Sequence, residues 1–290
     1  MNDYYIHLMI LIGIYWILAQ GLNIIFGLGG LLNLAHVAAY AIGAYTTALL
    51  STELNQSFWI CLPASMFFSA FLALIVGQIS LRLSEDYFAI GSLAFSAVIS
   101  ALLVNWKSVT RGVLGIPGIP RPEFWGIDFY ENSNFLFLTL TLDLIALTAI
   151  YLIFNGRLSR SLRGLAENEY GAEAIGKGKK SCRNDAFMLS ALFAGMAGCL
   201  FAYYINYIDP SSFTLTETVF VLSIVIVGRP GSFWGVMAST VFLVLLPEPL
   251  REIEISPSIL GPMRQLIYAS ILFAVVFWRR EELFPVERKV

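Results

Sequence analysis

Charge is scarce in this chain. Of 290 residues, 13% are Asp, Glu, Lys or Arg, against 58% hydrophobic. So little charge cannot cover that much apolar surface in water, which excludes a soluble globular class and leaves a polytopic helical membrane protein. A net charge of −2 lacks the basic excess of a nucleic-acid partner. The three cysteines, Cys61, Cys182 and Cys199, have no CxxC spacing, which excludes a disulfide framework and a thiolate metal site. Two histidines cannot make a His-rich metal set. There is no phosphate-cradling GxxxxGK[ST] loop and no GxSxG elbow, so nucleotide hydrolysis and elbow-type hydrolase chemistry are not expected of this chain. The expectation is a non-catalytic protein with no metal and no cofactor of its own. A positively charged leader with a small-residue cleavage site is also missing, so the first apolar run reads as a retained helix.

Long hydrophobic runs are what the chain has in abundance. They cover roughly 5–26, 35–51, 58–80, 87–106, 135–154, 187–208, 213–228, 233–247 and 264–278. A span needs about 20 residues, so the last three are short, and about nine transmembrane helices (range 8–10) are expected in a single domain, 1–290. Lys and Arg set the orientation. With the 157–185 loop inside, Arg82, Arg157, Arg160, Arg163, Lys177, Lys179, Lys180, Arg183, Arg229, Arg279, Arg280, Arg288 and Lys289 fall inside. Lys107, Arg111, Arg121, Arg251 and Arg264 fall outside. The bias places the N-terminus out and the C-terminus in.

Glycine interrupts the apolar pattern twice. FGLGGLLNLAH sets Gly27, Gly29 and Gly30 just before Asn33 and His36, and VIVGRPGSFWG repeats the device with Gly228, Arg229, Pro230, Gly231 and Gly235. Backbone freed inside a bilayer must be satisfied by protein or line a cavity, and paired interrupted segments point to a transport pathway. Gly27, Gly29, Gly30, Asn33 and His36 are therefore candidate pathway residues; a plain tight loop is the competing reading of the second unit. Small residues also recur every four positions, at Ala35, Ala39, Gly43 and Thr47 and at Ala194, Gly198 and Ala202, beside Ala191 and Gly195. Such ridges let helices approach closely, within the chain or between subunits.

Polar residues at membrane depth are few. Asp143 lies near the middle of its run and must face the interior or water. It is either a substrate or proton site, and so a sixth pathway candidate, or a polar contact between helices, the more economical reading. Gln20, Asn23 and Gln78 suit interhelical hydrogen bonds, and His7 suits an interface.

Two loops stand out. Residues 107–134 carry Pro117, Pro120 and Pro122 with Gly112, Gly115 and Gly118, which forbid a regular helix. Trp125, Phe129 and Tyr130 there suit the headgroup interface. Such a loop either caps the pathway, docks a protein outside or merely connects. In the 157–185 loop, Leu158, Leu162 and Leu165 share a helical face, so the preceding helix is expected to continue beyond the membrane. A short helix, AENEYGAEAIG, then ends at Gly176 and Gly178, with Lys177, Lys179 and Lys180 near its C-terminus where the dipole favours cations. Small apolar residues alternating with Glu167, Glu169 and Glu173 suit a helix that docks into a partner's groove.

Seven stretches in order, GLNIIFGLGGLLNLAHVAAYAIGAYT (21–46), DYFAIGSLAF (86–95), GIPGIPRP (115–122), ENEYGAEAIG (167–176), SALFAGMAGCLFA (190–202), DPSSF (209–213) and VGRPGSFWG (227–235), carry a resemblance over most of the chain. The chain resembles the LivM-type permeases of branched-chain amino acid ATP-binding-cassette importers, a group that includes urea and short-amide permeases. The resemblance implies a multi-pass protein of the cytoplasmic membrane, working by alternating access. It also implies a second related permease subunit, two cytoplasmic ATPase subunits that bind the ATP, and an extracytoplasmic substrate-binding protein. Glu167, Asn168, Glu169, Ala172, Ala174, Ile175 and Gly176 match the family's coupling helix and are implied as the ATPase contact. The chain departs from the family at Gly228-Arg229-Pro230 and at TRGVLGIPG, where double glycines are usual, and at Asp143. Urea or short amides as substrate, a proton-coupled secondary transporter using Asp143, and a purely structural assembly subunit remain the alternatives.

Overall fold

The computed structural model describes residues 3–80, 85–124, 127–248 and 257–278. Arg82, Trp125, Arg251, Arg279, Arg280, Arg288 and Lys289, used above, lie outside them, as does the side chain of Arg264. The chain is an all-α polytopic membrane protein. Its helices are α1 (Asp3–Asn23), α2 (His36–Thr52), α3 (Phe58–Ser80), α4 (Glu85–Asn105), α5 (Lys107–Thr110), α6 (Asn132–Asn155), α7 (Arg157–Glu167), α8 (Glu169–Ala174), α9 (Lys179–Ile205), α10 (Leu215–Val227), α11 (Phe233–Leu245) and α12 (Pro257–Trp278). Among the described residues seven helices are long and apolar enough to cross a membrane. Two more, α2 with 17 residues and α11 with 13, are shorter.

α1 and α9 form the centre: 78% of the span window of each is buried, against 22–39% for α3, α4, α6 and the α10 segment. A helix apolar on every face can sit only in such a place or in lipid. The two small-residue ridges explain how α9 is surrounded. Gly43 of α2 lies against the backbone of Gly195, Gly198 lies against the Tyr40 carbonyl, and Gly195 in turn faces the Ser65 carbonyl and Ser69 of α3. Any side chain at these points would separate the backbones. The ridges, which as sequence fitted contacts within or between chains, meet inside one chain.

Among the described residues there are four 2-residue strands, three within the 107–134 loop and one just after α9. β1 (Ile116–Pro117) pairs antiparallel with β4 (Tyr207–Ile208), Ile116 opposite Ile208, and β2 (Glu123–Phe124) pairs with β3 (Ile127–Asp128). The first pairing brings the GIPGIPRP stretch onto the turn that follows α9. Asn206, in the left-handed conformation at φ 61° that ends α9, accepts at its carbonyl from Gly118 and Ile119 and donates from its side chain to the Ile119 carbonyl at 2.7 Å. Arg121 locks this end. Its guanidinium donates to the carbonyls of Phe129, Tyr130 and Tyr204 and to the side chains of Asn132 and Asn206. It also lies over the rings of Phe135 and Tyr204. Phe129 is consequently buried (6% exposed) while Tyr130 is exposed. The interfacial reading of Phe129 is corrected: Arg121 gathers the carbonyls around it and folds the ring inward.

A second correction concerns the basic loop. The helix through 135–154 does not continue unbroken into residues 157–165. It ends at Asn155, and Gly156 takes an extended conformation (φ −82°, ψ −176°) before α7 starts. The break lets the amphipathic α7 turn its Leu162 and Leu165 face onto the bundle while Arg157, Arg160 and Arg163 stay exposed.

Candidate functional site

The two glycine-interrupted segments meet. α1 continues through a π-turn, Ile24–Leu28, and stops at Gly30, whose φ of +68° only glycine adopts easily. The amides of Gly30 and Leu31 bond back to the carbonyls of Phe26 and Ile25, closing the helix end. The chain then turns back as non-helical backbone. The Leu34 amide donates to the Ser92 hydroxyl (3.0 Å) and the Ala35 amide to the Asn33 side chain (3.0 Å). α2 starts only at His36, beside Leu18, which lies twelve residues before Gly30, or about 18 Å back along the helix. That re-entry shortens α2.

The second unit stacks on the first. Gly27 faces the backbone of Gly231 so closely that a methyl group on either would overlap the other chain segment. The Asn23 side chain accepts from the Gly231 amide at 2.8 Å and donates to the Ser232 carbonyl at 3.3 Å. Gln20 donates to the Phe233 carbonyl at 2.7 Å. Both Gln20 and Asn23 are therefore interhelical partners, as their sequence position suggests. Gln78 is exposed and makes no such bond among the described residues. α11, 13 residues long, reaches about 20 Å, less than the roughly 30 Å hydrocarbon core, and α10 makes an 18-residue span only together with the turn Pro210–Ser212 before it. Between them Arg229 holds φ 71° and Gly231 φ 79°. A left-handed conformation is one that double glycine would meet without strain, and this chain places an arginine in it.

α7 seals the seam. Leu162 packs against Gly29, Ala166 against Gly30, and Arg163 donates to the Gly231 carbonyl at 3.3 Å. One helix of the basic loop thus touches both glycine breaks.

Of the other pathway candidates, His36 is buried and braced on both ring nitrogens, by the Leu18 carbonyl (2.9 Å) and the Ser190 hydroxyl (3.1 Å). Asn33 is buried and folded onto its own backbone. Asp143 is buried on α6 against Gly13 of α1, and neither carboxyl oxygen has a hydrogen-bond partner among the described residues. Gly13 and Gly21, which face Asp143 and His36 respectively, stand about 12 Å apart along α1. The structure therefore brings together Gly27, Gly29 and Gly30, and leaves Asp143 on a different contact.

The short helix α8 is capped by Asn168, whose side chain accepts from the Gly171 amide at 2.9 Å. It closes at Gly176, φ +82°, with the Lys177 amide bonded to the Ala172 carbonyl. One expectation changes here, and one residue gains a partner. Lys179 and Lys180 do not trail the end of α8; they open α9. Glu169 is paired within the chain, to Lys179 and, at 3.4 Å, to the buried Arg183. The exposed face is carried by Glu167, Glu173, Ala174, Ile175 (76%) and Tyr170 (86%), with Ala172 buried beneath. Tyr170 is missing from the sequence candidates, although an aromatic in the middle of an otherwise small-residue helix is a signal.

At the opposite end a cavity of about 340 Å³ opens between α1, α10, α11 and α12, lined in part by Tyr4, His7, Tyr15, Glu217, Phe220 and Tyr268. Tyr15 donates to Glu217 at 2.7 Å. Glu217 is an acid at the start of an apolar run, and the sequence candidates omit it because a residue at a run's end reads as interfacial. Among the described residues no three His, Cys, Asp or Glu side chains converge as metal ligands.

Residues 4–277 match the family described as "Branched-chain amino acid transport system / permease component". The chain is 34% identical over 298 residues to "High-affinity branched-chain amino acid transport system permease protein LivM" of Escherichia coli (strain K12), covering 95% of this chain and 68% of that protein. It is 36% identical to the LivM protein of Salmonella typhimurium with the same coverage. To "High-affinity branched-chain amino acid transport system permease protein LivH" of Salmonella typhimurium it is 24% identical, over 68% of each chain. No solved structure matches the chain.

Proposed function

The chain belongs to the family of branched-chain amino acid transport permease components, and from that premise we propose that it is the permease subunit of an ATP-driven importer of branched-chain amino acids in the cytoplasmic membrane. The 157–185 end faces the cytoplasm, which puts the N-terminus outside and the C-terminus inside. The cation bias and the basic α7 at that end support this orientation. Likeness to both LivM and LivH supports a second, related permease as partner. Two cytoplasmic ATPase subunits and an extracytoplasmic binding protein complete the complex. ATP chemistry belongs to the ATPases; this chain contributes no catalytic residue, cofactor or metal.

The observation that carries the mechanism is α7 lying against both glycine breaks. An ATPase that docks on the exposed surface around α8, at Glu167 where α7 ends, at Tyr170 and Ala174 of α8, and at Ile175 and Gly176 just after it, moves α8 and α7 together. Through Leu162, Ala166 and Arg163 that motion reaches Gly29, Gly30 and Gly231. Broken, short helices tilt about such a point more readily than continuous ones, and their tilting switches the cavity from outward- to inward-open. Nucleotide drives the switch only by binding the two states with different affinity. Gly27, Gly29, Gly30 and Asn33 form the hinge of the path in this reading, and His36 the brace behind it.

The test is purification in mild detergent with mass spectrometry of bound subunits, followed by uptake into proteoliposomes of radiolabelled leucine against urea and acetamide. ATPase subunits, a second permease and ATP-dependent leucine uptake are expected. A chain that purifies alone, or takes up only urea or acetamide, overturns the reading.

A further inference from the structure

The cavity beside Glu217 has no part in the hinge, and its chemistry is specific. We propose that it binds an α-amino acid with an aliphatic side chain, and that Glu217 is the counter-ion of the ligand's ammonium group. The proposal rests on the importer reading and adds to it the residue that recognises the cargo.

Glu217 stands three residues after Thr214, the N-cap of α10. The T-x-x-E pattern normally turns the glutamate back onto the cap amide. Here Thr214 makes no side-chain capping bond, and Tyr15 of α1 is the one hydrogen-bond partner of Glu217 among the described residues. The carboxylate is thus withdrawn from its local task and held at the cavity wall, with one oxygen anchored and the other available. A second carboxylate, Glu248, lines the same space, and the described lining holds neither Lys nor Arg. Acid of this kind set in an apolar region calls for a cation.

The walls point the same way. Tyr15 meets Phe220 edge to face at 5.1 Å, and Phe220 meets Tyr268 at 4.7 Å. This gives a run of aromatic rings beside the carboxylate, and ring faces attract ammonium groups. Leu8, Leu11 and Val244 also line the cavity and supply an apolar surface for an aliphatic side chain. The volume of about 340 Å³ falls within the roughly 300–1,000 Å³ of small-molecule sites. Position adds a mechanical consequence: α10 carries Glu217 in its first turn and ends at the Gly228–Ser232 seam, so one rigid helix joins the ligand site to the hinge.

The test uses accessibility. Thr216→Cys places a thiol on the lining, in a Cys182→Ser background; Cys61 and Cys199 are buried. The membrane-inserted chain, with the subunits that purify with it, is treated with a 2-aminoethyl or a 2-sulfonatoethyl methanethiosulfonate. The cationic reagent is expected to react about tenfold faster, and Glu217→Gln to remove most of that preference. Leucine is expected to slow the reaction, 4-methylpentanoate, which lacks the amine, is not, and Glu217→Gln is expected to abolish protection. Equal protection by the two compounds, no protection, or protection that survives Glu217→Gln overturns the proposal. Leucine uptake is measured in parallel on the unmodified complex. Uptake without protection removes the site and leaves the importer; protection without uptake does the reverse.

Discussion

The Asn23 side chain accepts a hydrogen bond from the backbone amide of Gly231, 208 residues away, at 2.8 Å. That bond joins two helix interruptions that are separate features in the sequence and one object in the structure. Replacing Asn23 with Leu keeps the number and branching of side-chain heavy atoms but leaves the part-buried Gly231 amide without its partner. The expected cost is about 1–3 kcal/mol, read as a lower unfolding midpoint of the detergent-solubilised chain. An unchanged midpoint would show that the seam is not held by this bond.

Gly27→Ala tests the same contact by volume. A Cβ there would fall 3.0 Å from the Gly231 Cα, and overpacking of this kind costs about 1–3 kcal/mol. Gly164→Ala, where an added Cβ meets nothing within 4 Å, is the control and should be neutral or slightly stabilising in its helix.

Glu169 separates two roles. It is ion-paired to Lys179 and Arg183, so Glu169→Arg is expected to reduce coupling of ATP hydrolysis to uptake by loosening α8 from α9. The double change Glu169→Lys with Lys179→Glu restores one of those pairs. Recovery of coupling in the double variant makes Glu169 a positioning residue; persistent loss makes it a contact of the ATPase. Tyr170→Ala, which touches neither pair, is expected to reduce coupling without changing the unfolding midpoint.

Arg121→Lys is not a conservative change at a planar site with five acceptors. Lysine cannot reach both Asn side chains and three carbonyls. Chymotrypsin cleavage after Phe129 and Tyr130 is expected to rise about tenfold, as a loss of charged hydrogen bonds in this range would produce. Unaltered cleavage would mean that the β1–β4 pairing alone holds the loop.

Asp143→Asn keeps shape and removes the capacity to carry charge. Its carboxyl oxygens have no hydrogen-bond partner among the described residues, and ionised groups at membrane depth are costly. Uptake is expected to stay within about twofold of the unchanged complex and to be insensitive to a protonophore. Uptake lost in this variant, and abolished by protonophore in the parent, would favour proton-coupled transport instead.

Class, element type and interruption points were legible in the sequence because each depends on local composition. Runs of apolar residues can only be spans, glycine pairs can only weaken a helix, and a ridge of Ala and Gly can only be a close-packing face. Asn23 and Gln20 could be assigned to interhelical bonds because a polar amide within a helix bundle is best satisfied by a neighbouring helix, although the same reasoning fails at the exposed Gln78. The pairing of these features was decided by tertiary structure alone. Nothing local says that Gly27 meets Gly231, that Gly43 meets Gly195, or that α7 lies under both breaks, since each contact joins segments far apart in the chain and depends on how all the helices pack at once. The same holds for Glu169 and Glu217. As sequence, one was a coupling residue implied by the family resemblance and the other an unremarked acid near the start of an apolar run. Packing adds to both, because α9 supplies cations to the first and α1 supplies a tyrosine and a cavity wall to the second.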